Sequence, residues 1–89
     1  MKDSVEQYVA AYVAARRTER LIARHDAEWD RWVARARLAQ SMGDDRLAEA
    51  ARKRALAHGE AAGQLRATHV QQAFAVSQLE ELARADRSR

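Results

Sequence analysis

The chain has 89 residues, 16 basic against 13 acidic side chains for a net charge of +3, and neither cysteine nor proline. That length holds one small domain. The missing cysteine excludes a disulfide framework, a thiolate metal site and a thiol nucleophile, and no apolar run approaches the ~18 residues of a membrane span.

Hydrophobic residues make up 47% of the chain, yet 21 of those 42 are alanine. Ala, Arg, Glu, Leu and Gln dominate, all strong helix formers, so composition points to an all-α protein. The charge divides evenly along the chain: eight cations and six acids in residues 1–42, eight and seven in 43–89. An even spread reads as a solvated helical surface rather than a polyanion-binding tail. The opening "MKDSVEQYV" lacks the apolar centre of a secretory leader. The expected location is therefore cytoplasmic, with the periphery of the inner membrane as the alternative.

Residues 3–41 contain no helix breaker and are predicted to form one long helix. Its seam is read through Val5, Tyr8, Tyr12, Ala15, Ile22, Trp29, Val33 and Ala36, which follow three- and four-residue steps or whole heptads. A lone helix of that length needs a partner along its side.

The break comes at residues 42–44. Gly43 suits the left-handed position that ends many helices. Asp44 can accept hydrogen bonds from the first free amides of the next helix. So short a connection turns the second helix back antiparallel to the first.

Residues 45–85 form the second predicted helix, with a seam through Leu47, Ala51, Ala55, His58, Ala62, Leu65, Gln72, Val76, Leu79 and Ala83. Folding at the turn pairs positions whose numbers sum to about 87. Trp29 and Trp32 then face residues near 58 and 55, where Ala51, Ala55, Gly59, Gly63 and Ala67 make a ladder of small residues. Large against small lets two helices approach without a void. At the open end Val5, Tyr8, Val9, Tyr12 and Val13 face Phe74, Val76, Leu79 and Leu82. Between these zones lies "RRTER", residues 16–20, a polar waist that reads as a solvated stretch, a hinge, or a charged seam against another subunit. Leu21, Leu56, Val70 and Phe74 lie off the seam and form a second stripe suited to pairing hairpins into a bundle.

Chemistry is sparse. His25, Asp26 and Glu28 do not point one way on a helix, and the paired Glu-x-x-His motif of a di-metal bundle does not occur. His58 reads as a packing residue beside Trp29. No serine has a base partner on its own face, and Gly59-x-x-x-Gly63 sits inside a helix. No catalytic residue, cofactor or metal is expected, and the chain reads as a non-enzyme. The densest basic cluster, residues 51–55 with Arg46, has its charges pointing apart, and no nucleic-acid-binding motif accompanies it. The amphipathic stretch Val5–Val13 would suit a membrane surface but is read as packing on the second helix.

The stretch "AEWDRWVARARLAQSMGDDRLAEAARKRA", with Trp32, Ala36, Leu38-Ala39, Gly43, Asp45, Leu47-Ala48 and Ala50-Ala51 as its skeleton, resembles the hairpin tip of the phage-shock-protein-A family, the bacterial ESCRT-III-like membrane-remodelling proteins. The resemblance covers residues 27–55 and departs at Arg46. Members of that family are longer, with an amphipathic helix before the hairpin and further helices after it, so the resemblance implies coiled-coil self-association more than membrane remodelling. A WXG-type secreted hairpin is a poorer match, because Trp32 lies well before Gly43. A Rop-like RNA-binding bundle is the other alternative.

The reading is thus an all-α antiparallel two-helix hairpin, coiled-coil-like and assembling into a helical bundle, that serves as an interaction or scaffolding module. Tyr8, Tyr12, Phe74 and Leu79 at the open end are the expected partner contacts. The expected partner is a second copy or another helical protein. Nucleic acid is not expected, and peripheral membrane contact is allowed but not signalled.

Overall fold

A computed structural model describes residues 3–88. Among them are two helices, α1 (Ser4–Ser41) and α2 (Asp45–Arg87), lying antiparallel in a rod of 69 × 18 × 14 Å. Both starts are capped by aspartate. The Asp3 side chain accepts from the Glu6 amide at 2.8 Å, and the Asp44 side chain accepts from the Leu47 amide at 3.0 Å.

The turn is a Schellman motif. Gly43 has φ +75° and donates its amide to the Gln40 carbonyl at 3.1 Å, while the Asp44 amide reaches the Ala39 carbonyl at 2.9 Å. Gly43 and Asp44 thus do what their residue types led one to expect. At the open end Ser4 Oγ bonds the Asp86 carboxylate, which ties the first turn of α1 to the last turn of α2.

The seam keeps a strict alternation of three- and four-residue steps over the whole rod. In α1 it runs through Ser4, Tyr8, Ala11, Ala15, Thr18, Ile22, His25, Trp29, Trp32, Ala36 and Ala39. In α2 it runs through Ala48, Ala51, Ala55, His58, Ala62, Leu65, His69, Gln72, Val76, Leu79 and Ala83. That 3.5-residue period is the heptad of a coiled coil. Every buried apolar residue is an alanine: Ala15, Ala36, Ala39, Ala48, Ala51, Ala55, Ala62 and Ala83. Thr18, the one buried polar residue described, turns its hydroxyl back to the Ala14 carbonyl.

Three sequence expectations are corrected here. The α1 seam takes Ser4, Ala11 and Trp32, not Val5, Tyr12 and Val33; Val5 and Tyr12 are 39% and 48% exposed, and Val33 lies on a flank. In α2 it takes Ala48, leaving Leu47 58% exposed. The five-rung ladder of small residues also breaks up. Steps of four drift around a heptad helix, so Gly63 and Ala67 are exposed and Ala62 takes the core position. At Ser4, Ala11 and Ala48, close helix approach selects the small side chain for the seam and leaves its larger neighbour at the edge.

No helix of the described residues is long and apolar enough to cross a membrane.

Candidate interaction surface

Because the heptad holds along the rod, its two edges form two distinct flanks. On the first, an open groove near the tip is lined by Trp29, Val33, Ala36, Ala55 and Leu56, with Arg37 and Arg52 at its rim. Asp26, Glu19, Tyr12 and Val5 lie one to four heptads before Val33, and Val70 lies two heptads after Leu56. This flank therefore reads apolar at the tip, charged in the middle and apolar at the open end. Most of its charges are paired, although Arg37 meets no carboxylate among the described residues. Arg66 meets Asp26 at 2.5 Å, and Glu19 meets Arg16 at 2.8 Å and His69 at 3.0 Å. Arg52 meets Glu49 and Arg84 meets Glu80.

The second flank carries a groove lined by Trp32, Leu38, Met42, Leu47 and Ala50. Two guanidinium groups lie over the Trp32 ring, Arg35 at 4.4 Å and Arg54 at 4.8 Å from the ring centroid. Such stacking immobilises both cations against the ring. Arg31, Arg24 and Arg17 lie one, two and three heptads before Leu38. Arg31 pairs with Glu28, whereas Arg17, Arg20 and Arg24 meet no carboxylate among the described residues and line a shallow exposed depression with Leu21. Among the described residues, five of the six close contacts of an Arg or His side chain with a carboxylate thus lie on the first flank.

The middle of the seam is polar. The Nδ1 atoms of His25 and His58 are 2.9 Å apart, with one ring donating and the other accepting. Each ring has a single N–H when neutral, so this contact fixes opposite tautomers at Nδ1. His58 therefore pairs with His25, and it is Gly59 that meets Trp29. Asp26 and Glu28 turn away from His25 toward Arg66 and Arg31. No group of three His, Asp or Glu side chains among the described residues has the placement to hold a metal ion. The buried Gln72 Oε1 accepts no hydrogen bond.

The four expected partner contacts separate. Tyr8 and Leu79 are half-buried in the seam; Tyr12 and Phe74 are 48% and 65% exposed. Tyr8 and Tyr12 pack as a tilted pair with centroids 6.3 Å apart. Tyr12 lies on the first flank and Phe74 on the outer back of α2. The sequence reading places Arg17 and Arg20 in the polar waist of residues 16–20, but their alignment with Arg24 on one flank shows only once the heptad is fixed.

Compared with known proteins, the chain matches no family model, no curated protein and no solved structure.

Proposed function

We propose that this hairpin is a non-enzymatic scaffolding module that self-associates through its first, ion-paired flank. One observation carries this reading: every buried apolar residue is an alanine, while thirteen large apolar side chains stay exposed. The chain exposes 6890 Å², against about 5,300 Å² for a compact monomer of its 10.1 kDa mass. At ~25 cal/mol per Å² of apolar area, covering such residues is the main stabilisation still open to the fold.

The first flank suits a second copy because most of its charges are already paired and its two apolar zones lie at opposite ends. A copy reversed about a twofold axis sets Trp29, Val33 and Leu56 against Val5, Val9, Tyr12 and Val70, an isologous contact. The likeness of the tip to the phage-shock-protein-A family supports the same level of reading, coiled-coil self-association.

The test is sedimentation of Val33→Glu/Leu56→Glu beside Leu82→Glu, an exposed residue on the second flank. The first variant is expected to run as a monomer with its helicity kept, and the second as wild type. Loss of assembly in Leu82→Glu alone would contradict this choice of flank.

A further inference from the structure

The charge that is evenly spread in sequence is not evenly spread in the fold. Residues 9–27 and 61–79, which the hairpin brings side by side at the waist, contain five arginines and two carboxylates. That is a net +3, equal to the net charge of the whole chain, so the remainder is neutral. Within the waist, Glu19 and Asp26 are both engaged on the first flank, with Arg16 and His69 and with Arg66. The uncompensated charge is therefore Arg17, Arg20 and Arg24, exposed on the second flank and its edge.

We propose that this arginine row binds the phosphate backbone of a nucleic-acid duplex, without reading its bases. Three features favour that ligand. The row is linear and stiff: at 1.5 Å per residue Arg17 and Arg24 stand ~10 Å apart on one unbroken helix, a spacing that follows a charged rod. Arginine presents a planar fork that engages phosphate oxygens in pairs. Across the same flank, α2 offers Gln64, Gln71 and Gln78, each one heptad from the next and all exposed, whose amides suit phosphate and sugar oxygens.

A lipid surface is disfavoured because Leu21 is the one large apolar side chain among these arginines, too little to enter a bilayer. A single strand is disfavoured because it calls for aromatic platforms on which bases stack. The Trp32 ring already stacks against Arg35 and Arg54. No short motif in the sequence encodes this row, and nucleic acid entered there only as the Rop-like alternative. The inference does not depend on self-association, which uses the other flank.

The experiment is fluorescence anisotropy with a labelled 20-base-pair DNA duplex of arbitrary sequence, titrated at 50 and 200 mM salt. Arg17→Gln/Arg20→Gln/Arg24→Gln is compared with Arg46→Gln/Lys53→Gln/Arg87→Gln, which removes the same charge from the tip and the far end. Circular dichroism checks that both fold, and Arg24→Gln alone is the milder variant. Wild type is expected to bind with a steep salt dependence. The waist triple should lose at least tenfold in affinity at 50 mM salt and flatten the salt slope by about 2 to 3, since each phosphate contact contributes ~0.9. The control triple should lose less than threefold, and Arg24→Gln should fall between wild type and the waist triple. Equal losses from the two triples would overturn the proposal. So would wild-type co-sedimentation with phosphatidylserine vesicles but no shift with the duplex.

Discussion

The ring of Trp29 lies so close over Gly59 that a Cβ there would stand 2.9 Å from its Cζ3 and 3.0 Å from its Cε3. Gly63, one turn on, has nothing within 4 Å of the same position. Two glycines in one helix therefore have opposite roles. Gly63→Ala should stabilise by roughly 1 kcal/mol through helix propensity alone, raising Tm by about 4–8 °C in a domain of this size. Gly59→Leu should lower Tm, because the indole has to leave its place. Melts at one fixed protein concentration check both, and a Gly59→Leu variant as stable as Gly63→Ala would show that this packing carries no weight.

The turn gives a second expectation. Gly43 holds φ +75° and donates to the Gln40 carbonyl. Gly43→Ala should cost about 1–2 kcal/mol for the left-handed conformation. Gly43→Pro should cost more, since it cannot take positive φ and also removes the donor. A thermal melt of Gly43→Pro that overlays wild type would refute the role given to this residue.

Gln72 places an unpartnered carbonyl oxygen in the seam. An apolar residue of similar size avoids that desolvation, so Gln72→Leu should stabilise by about 1 kcal/mol. Urea midpoints of the two proteins measure it; a lower midpoint would mean that the amide has a partner in solution.

The histidine pair calls for a double-mutant cycle. Removing one ring leaves the facing Nδ1 without its partner, so His25→Leu and His58→Leu should each cost about 1 kcal/mol. The double variant should lose less than the sum, because no orphan remains. Strict additivity would show that the 2.9 Å contact contributes nothing.

The helices and the turn were legible in the sequence, since they depend on local signals: no proline, strong helix formers, and Gly43 followed by Asp44. The α2 seam was nearly all legible, from Ala51 through Ala83. In α1 the reading lands on Val33 where Trp32 continues the heptad, and it slips by one residue at Val5 and Tyr12 because it assigns large apolar side chains to the core. An alanine-packed coiled coil inverts that rule and puts Ser4 and Ala11 inside. The arginine row was hidden for another reason. Charge counted along the chain averages out what antiparallel pairing brings together at the waist.

That an alanine-cored hairpin completes itself by self-association is tested most directly by the molar mass of the wild-type chain, measured by light scattering across a hundredfold range of concentration. A discrete species at a small whole multiple of 10.1 kDa, holding its mass on dilution into the micromolar range, is the predicted result. A fully helical protein that stays at 10.1 kDa throughout would contradict it.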